Sequence, residues 1–217
     1  MAKEYSEDLL IQKSTAELLE KELGWQSVYA YDSEVLGEQG TLGRKAQSEV
    51  VLTRHLRMAL KRLNTWMTDK QMTEAIERMT SYMSSQTLMQ INEEKYRYLR
   101  DGVPVTRLKP NGETEQVRAK VMDFANVDNN EFIVVRELWI KGPIHKRRAD
   151  VVCFVNGLPL VFIELKNHDQ DIQNAYTDNY RDYLDTIPHL FHHNAMIMLS
   201  NGMESRVGTV GAKWEFF

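Results

Sequence analysis

The segment ADVVCFVNGLPLVFIELKN, residues 149–167, contains two apolar runs that carry charged residues at their outer ends. Asp150 opens the first run, and Glu164 and Lys166 close the second. Asn156-Gly157 lies between the runs, and this dipeptide strongly favours a tight turn between antiparallel strands. The segment therefore predicts a β-hairpin whose open end carries two carboxylates and a lysine.

The register of this hairpin decides whether the two carboxylates can act together. A strict two-residue loop pairs residue 155 with 158, and therefore residue 150 with 163. One extra residue, in the loop or as a β-bulge, pairs residue 150 with 164 instead. If the carboxylates act together, the hairpin must contain that extra residue or its strands must splay at this point.

The residue types at the open end are those of metal-assisted phosphodiester hydrolysis. Ionised groups beside apolar surface need a compensating charge, and a divalent metal ion compensates Asp150 and Glu164. Carboxylate oxygens suit Mg²⁺, and Lys166 can orient the attacking water or stabilise charge on the phosphate. Basic residues just upstream, Lys146, Arg147 and Arg148, predict contacts with a phosphate backbone. A structural ion pair is the competing explanation for the same charged residues.

Bulk composition limits the class of protein. The chain has 217 residues, of which 42% are hydrophobic, and its formal net charge is −4. These values predict a folded domain and argue against a surface that grips nucleic acid over its whole area. No apolar run is long enough to span a membrane. The single cysteine, Cys153, lies in an apolar run and is predicted to be a reduced core thiol, which fits a cytoplasmic protein.

Hydrophobic periodicity predicts an α/β fold with a mixed sheet. Helices are expected at about 6–23, 48–63 and 169–185, with two more between 70 and 100. Strands are expected at 26–31, 132–140 and 194–200, in addition to the hairpin. On the second helix Arg54, Arg57 and Lys61 form a basic stripe, which is either a solvated face or a set of DNA phosphate contacts.

Three histidines, His189, His192 and His193, lie close together in the sequence. No cysteine or suitably spaced partner completes a tetrahedral zinc set with them. A surface or structural role is therefore predicted for these histidines.

The segment RRADVVCFVNGLPLVFIELKN resembles the PD-(D/E)xK nuclease motif, and in particular the N-terminal endonuclease domain of the R subunit of type I restriction-modification enzymes. Three other segments are similar to the same domain: YSEDLLIQKSTAELLEKELGW, NNEFIVVRELWIKG and MLSNGMESRVGT. The resemblance implies a restriction-endonuclease-like core whose mixed sheet is flanked by helices, with additional N-terminal and inserted helices.

The resemblance also implies roles for individual residues. Asp150 and Glu164 match the metal-binding acids, and Lys166 matches the catalytic lysine. Leu165 would offer its backbone carbonyl to the metal ion, and Glu7 matches an acidic residue of the first helix that joins the site in related nucleases.

Two departures from the family pattern are present. Ala149 replaces the proline that usually precedes the first acid. The Gln-x-x-x-Tyr motif of the following helix has no strict match, although Asn179 and Tyr183 have its spacing and Gln173 is another candidate glutamine. These departures affect the predicted role of the helix rather than that of the hairpin.

For the whole protein, the resemblance implies a DNA endonuclease that uses Mg²⁺. This enzyme would act on double-stranded DNA together with methyltransferase (M) and specificity (S) subunits. It would do so in the cytoplasm, without a membrane partner. Residues 1–217 are expected to form a single endonuclease domain, with a helical segment at about 48–100 and a nuclease core at 1–30 and 103–210. The chain is expected to end before the ATP-dependent motor of such a subunit. A free-standing repair or resolving nuclease and a docking module with a degenerate site are the alternatives.

Overall fold

The computed structural model describes residues 7–109 and 111–217, with side chains from residue 12 onward in the first helix. The helices of this part are α1 Glu7–Leu23, α2 Thr53–Leu63, α3 Asp69–Thr80, α4 Leu88–Asp101 and α5 Arg181–Thr186. The strands are β1 Gln26–Tyr29, β2 Val103–Leu108, β3 Thr114–Ala119, β4 Phe132–Lys141, β5 Lys146–Val155, β6 Leu158–Leu165, β7 Met196–Ser200 and β8 Ser205–Gly208.

A six-stranded sheet in the order β1-β4-β5-β6-β7-β8 forms the centre of the fold. β1 runs parallel to β4 and β6 runs parallel to β7, whereas β4–β5, β5–β6 and β7–β8 are antiparallel. The predicted mixed sheet with flanking helices is therefore confirmed. Strands β5 and β6, which carry the charged residues of the hairpin, occupy the middle of the sheet.

The two faces of the sheet pack against different partners. On one face, Ala16 of α1 packs against Val134, Val151 and Ile163 in a small core. On the other face a larger core includes Phe154, Phe162 and the segment that follows β6. Cys153 is buried on the α1 face, and burial raises the pKa of its thiol to about 12. This confirms the predicted core thiol.

A second layer consists of α2, α3, α4 and the β2–β3 hairpin. Buried residues of α2 and α3 share one cluster with Val103, Val105 and Ala119 of that hairpin and with Leu158 at the start of β6. Helices α3 and α4 each begin with a capping box, in which Thr68 and Gln71, or Thr87 and Gln90, satisfy each other's backbone groups. The described part of the chain contains no helix with the length and apolar character needed to cross a bilayer.

Two helix predictions were wrong in their bounds. The helix predicted at 48–63 begins only at Thr53, because the backbone N–H of Leu52 donates instead to the carbonyl of Gly157 in the hairpin turn, 2.8 Å away. The helix predicted at 169–185 begins only at Gln173, and a π-helical segment at Ala175–Tyr180 interrupts it before α5. Wider π-type turns are rare and occur frequently at functional sites.

Candidate active site

The β5–β6 hairpin contains the irregularity that joint action of its carboxylates requires. Next to the turn, Val155 pairs with Leu158 and Phe154 with Pro159. The register then shifts between Cys153 and Phe154, so that Cys153 pairs with Val161 and Val151 with Ile163. The same register, continued by one step, sets residue 150 opposite 164. A one-residue bulge, one of the irregularities that joint action of the acids would require, is therefore present, and it brings the two acids to the same level of the sheet.

Asp150 lies at a gap in the pairing of β5 with β4. Arg136 pairs with Val151 and Leu138 with Ala149, and Glu137 and Asp150 lie opposite each other between these two pairs. Glu137 has a φ of 58°, in the left-handed region that residues other than glycine rarely adopt. Such irregular positions at strand edges commonly redirect a side chain toward an active site.

The Asp150 carboxylate accepts hydrogen bonds from two other elements, β6 and α1. Its Oδ2 accepts from the backbone N–H of Leu165 on β6 at 2.9 Å. Its Oδ1 accepts from the Nε2 amide of Gln12 on α1 at 3.1 Å. Two hydrogen bonds from different elements fix the orientation of the carboxylate.

Glu164 is a buried carboxylate whose environment opposes its charge. Only 1% of the residue is exposed, and its Oε2 has no hydrogen-bond partner among the described residues. Burial raises the pKa of Glu164 well above its usual value, and the neighbouring charge of Asp150 raises it further, while Lys166 and Asn179 act in the opposite direction. The charge of a cation at this point would offset both causes of the raised pKa.

Lys166 is held by the helix that follows the hairpin. Its Nζ donates to the Oδ1 of Asn179 at 2.6 Å, and Asn179 belongs to the π-helical segment. Four residues further on, the hydroxyl of Tyr183 donates to the backbone carbonyl of Arg148 at 2.8 Å, and burial raises the pKa of this tyrosine. The pair with Gln-x-x-x-Tyr spacing therefore contacts the site residues, whereas Gln173 is exposed.

Two residues near Asp150 were missed by the sequence analysis. Gln12 is buried on the face of α1 that also carries Ala16, and Glu137 is buried in β4 among mostly apolar residues. In each case a polar residue within a buried apolar pattern is the signal that could have indicated them. The side chain of Glu7, which the sequence analysis assigned to the site, lies outside the described residues.

The basic residues before Asp150 have different surroundings. Arg147 donates to Asp182 of α5, with Nη2 2.9 Å from Oδ1. Arg148 forms an ion pair with Glu137, with Nε 2.6 Å from Oε2, and Lys146 is exposed. Lys146 and the partly exposed Arg148 are therefore the better placed to meet a phosphate.

The residues of the predicted basic stripe on α2 also have different surroundings. Arg54 donates to the backbone carbonyls of Glu38, Gly40 and Thr41, so its guanidinium stabilises the loop before α2. Arg57 donates to the hydroxyl of Thr73 at 3.0 Å, and Lys61 is exposed.

The three histidines support the structure between the sheet and the α3–α4 layer. His192 and His193 are buried, and the Nε2 of His193 is 2.8 Å from the carbonyl of Met79. Burial lowers the pKa of His192 to about 4 and that of His193 to about 3. Both imidazoles are therefore neutral at physiological pH, which fits the structural role predicted for them.

The acids of the site fit a hard divalent cation. Within residues 7–109 and 111–217, no group of three or more His, Cys, Asp or Glu side chains is arranged to hold a metal ion. Asp150 and Glu164 are two such ligands, and the unpartnered, buried Oε2 of Glu164 is the observation that favours a cation beside it. Mg²⁺ typically binds one or two carboxylates and completes its shell with water and substrate phosphate.

Without a metal ion, the buried Glu164 is expected to make the chain less stable as the pH rises. A group whose pKa is raised on folding stabilises the fold below its unfolded value and loses that contribution as the pH rises through the folded pKa. For Glu164 the loss begins above its ordinary value of 4.5 and continues through the raised folded value. In the presence of a chelator, Glu164→Gln is therefore expected to be more stable than the parent at pH 8, by about 1–3 kcal/mol.

The measurement is urea unfolding of the parent and the variant from about pH 4.5 to 8. The free energy of unfolding of Glu164→Gln should exceed that of the parent by an amount that grows as the pH rises. Glu131→Gln is the matched control of opposite sign, because a hydrogen bond from His55 lowers the pKa of Glu131. Parallel curves for the parent and Glu164→Gln would contradict the prediction.

Comparison with known proteins identifies the family of the chain. The family described as "Type I restriction enzyme R protein N terminus" matches residues 4–216. The type I restriction enzyme HindI endonuclease subunit of Haemophilus influenzae is 32% identical over 211 residues, which cover 95% of this chain and 19% of that protein. The SauMSSORF170P endonuclease subunit of Staphylococcus aureus is 27% identical over 189 residues, covering 85% and 19%. This chain, which spans about a fifth of those relatives, thus belongs to the family of type I restriction enzyme R protein N termini.

Proposed function

We propose that this chain is the metal-dependent DNA endonuclease domain of a type I restriction enzyme R subunit and that its core is of the PD-(D/E)xK class. The observation that carries the proposal is the open end of the β5–β6 hairpin. There a buried Glu164 with an unpartnered oxygen neighbours Asp150, and Lys166 comes directly after the end of β6. Family membership supports the same assignment.

In the proposed site, Asp150, Glu164 and the backbone carbonyl of Leu165 hold a Mg²⁺ ion. When bound, Mg²⁺ would neutralise charge that develops on the phosphate and lower the pKa of a water molecule. Gln12 and the Leu165 N–H keep the Asp150 carboxylate oriented through the hydrogen bonds already described. Glu7 stays a proposed additional ligand.

Lys166 has a separate task in this proposal. An ammonium group carries three N–H donors. The Oδ1 of Asn179 accepts a hydrogen bond from one of them and holds the group in place. The remaining donors are directed by this contact toward the substrate, where they orient the attacking water or bond a phosphate oxygen. Asn179 is thus a positioning residue, and Tyr183 anchors the same helix to β5.

The rest of the reaction is assigned to other parts of the enzyme. We propose that the remainder of the R subunit uses ATP to translocate double-stranded DNA, and that M and S subunits supply recognition of unmodified foreign DNA. The complex would act in the cytoplasm as a type I site-specific deoxyribonuclease. We further propose residues 1–217 as one endonuclease domain, with a helical segment at about 48–100.

Metal dependence provides the test. The R subunit that carries this chain, assembled with its M and S subunits, should cut unmodified plasmid DNA with ATP and Mg²⁺. Chelation of the metal should stop cutting, and added Mg²⁺ should restore it. Calorimetric titration of the 217-residue chain should show weak Mg²⁺ binding that Glu164→Gln abolishes, since two carboxylates give a weak site before phosphate joins it.

Two outcomes would contradict the proposal. Cleavage that resists chelation would exclude a metal-dependent site. Robust cutting of plain plasmid by the 217-residue chain alone, lost in Lys166→Ala, would instead favour a free-standing nuclease. We expect poor cutting by the chain alone, because its net charge of −4 gives weak DNA binding that falls steeply with salt.

A further inference from the structure

Aromatic and cationic side chains alternate on the surface beside the candidate site. We call this surface the aromatic–cation strip. Its rings belong to β1, the residues just after it and β4, and its cations belong to β4 and β5. The members are Tyr29, Tyr31, Trp139, Arg136, Lys146 and Arg148.

The rings of the strip follow one another in a row. The centroids of Tyr29 and Tyr31 are 6.3 Å apart with an interplanar angle of 26°. Those of Tyr31 and Trp139 are also 6.3 Å apart, with an angle of 28°. Nearly parallel rings at a regular spacing form a platform rather than the edge-to-face packing seen among the core aromatics Phe162, Phe191 and Tyr180.

A cation lies over each ring of the row. The guanidinium of Arg136 is 5.1 Å from the Tyr29 centroid, and that of Arg148 is 5.0 Å from Tyr31. The ammonium of Lys146 is 4.2 Å from the Trp139 centroid. These distances are within the range of cation–π attraction, which holds each cation close to the platform.

Hydrogen bonds and an ion pair fix the side chains of the strip. The indole Nε1 of Trp139 donates to the backbone carbonyl of Tyr31 at 3.0 Å. The backbone carbonyl of Trp139 accepts from the buried Arg44 at 2.7 Å. Arg148 is fixed by its ion pair with Glu137. Rings and cations with few alternative positions lose little conformational entropy when a ligand binds.

The position of the strip connects it to the candidate site. Arg148 precedes Asp150 by two residues on β5, and its partner Glu137 lies opposite Asp150 in the gap between β4 and β5. The strip is open to solvent, since Tyr31 is 42% exposed, the Arg148 side chain is 39% exposed and Lys146 is exposed. It therefore leads from solvent to the strand that carries the first acid.

We propose that the aromatic–cation strip binds a single strand of DNA and guides it to Asp150 and Glu164, an inference that rests on the proposed endonuclease function. Aromatic rings in a row offer stacking surfaces to successive unpaired bases, and nearby cations pair with the phosphates between them. A duplex keeps its base faces inside the helix, so the rings would contribute little to duplex binding. The strip thus selects DNA whose strands are locally separated.

Direct DNA binding by the 217-residue chain provides the test. Fluorescence anisotropy with labelled oligothymidylate and with a duplex of equal length is measured in EDTA at about 0.1 M salt, where no cleavage occurs. Single-stranded DNA should bind more tightly than the duplex. Tyr31→Ala should weaken single-strand binding about fivefold or more, the lower end of the loss expected for one stacked base. Lys146→Gln should lower the steepness with which log K of binding falls against log salt concentration by about one, the contribution of a single phosphate contact.

A matched control comes from α4, which packs on β2 and on the Pro188–Phe191 turn. There Tyr96 is 54% exposed, and the guanidinium of Arg100 lies 5.9 Å from its ring centroid. Tyr96→Ala and Arg100→Gln remove a similar exposed aromatic–cation pair and should leave DNA binding unchanged. Urea unfolding of all variants checks that each is folded.

The proposal would be overturned if Tyr31→Ala bound single strands as tightly as Tyr96→Ala did, or if the chain preferred the duplex. Because the assay contains no metal ion, it is independent of the chemistry at Asp150 and Glu164. Failure of the endonuclease proposal would appear as cleavage that survives Lys166→Ala, with single-strand binding still sensitive to Tyr31→Ala.

Discussion

Lys166→Ala is expected to reduce DNA cleavage by the assembled enzyme about a hundredfold or more while ATP hydrolysis continues at nearly the parental rate. The substitution removes the ammonium that Asn179 holds beside Glu164 and Asp150. ATP hydrolysis is assigned to another part of the subunit, so it reports that the enzyme still assembles and engages DNA. Asp150→Ala and Glu164→Ala should have the same effect, because each removes a ligand of the proposed metal ion.

These substitutions should not unfold the chain. Glu164 is destabilised by burial and by the charge of Asp150, so removing either carboxylate relieves repulsion. Lys70→Ala, which removes an exposed lysine from α3, is the matched control and should cleave DNA normally. Cleavage of linear and circular plasmid is measured beside phosphate release. Normal cutting by Glu164→Ala would disprove the active-site assignment.

Gly157→Ala is expected to destabilise the fold by about 3–5 kcal/mol, which lowers the melting temperature by about 10 °C or more. Gly157 has a φ of 81°, and a Cβ added there would lie 2.4 Å from the carbonyl oxygen of Leu52 and 2.9 Å from the backbone N of Leu56. Both contacts are with backbone, so neither can be relieved by a side-chain rotation. The turn would have to separate from the start of α2.

Gly112→Ala separates the cost of the left-handed backbone conformation from the cost of the steric contact with Leu52 and Leu56. Gly112 has a similar φ of 85°, but a Cβ added there would meet nothing within 4 Å. Its substitution should cost only the strain of the left-handed conformation, about 1–2 kcal/mol. Thermal and urea unfolding of both variants measure the difference. Equal losses would show that the close approach of Leu52 has no energetic effect.

Much of the central fold could be predicted from local sequence. Asn156-Gly157 predicted the turn, and the apolar runs on either side of it predicted strands β5 and β6. The register argument required an extra residue in the loop, a bulge or splayed strands if the two acids act together, and the hairpin contains a bulge. Each of these inferences uses residues that are neighbours in the chain, so no knowledge of distant packing was needed.

The remaining features depend on contacts between distant segments. The start of α2 is shifted because Leu52 bonds the hairpin turn, about a hundred residues away in the sequence. Gln12 reaches Asp150 from α1, and Glu137 meets Asp150 only through strand pairing. The π-helical turn that carries Asn179 was not predicted, because hydrophobic periodicity indicates a helix without distinguishing a π-helical turn from an α-helical one.

The buried, unpartnered oxygen of Glu164 has a consequence for the evolutionary history of such chains. Because replacing Glu164 is expected to strengthen the fold, selection for folding and solubility alone would not preserve it. Only selection for DNA cleavage would remove lineages that lose it. Inactive descendants should therefore arise by single substitutions, remain well expressed and still assemble with their partners. A population no longer exposed to foreign DNA would lose the activity of this chain long before it lost the fold.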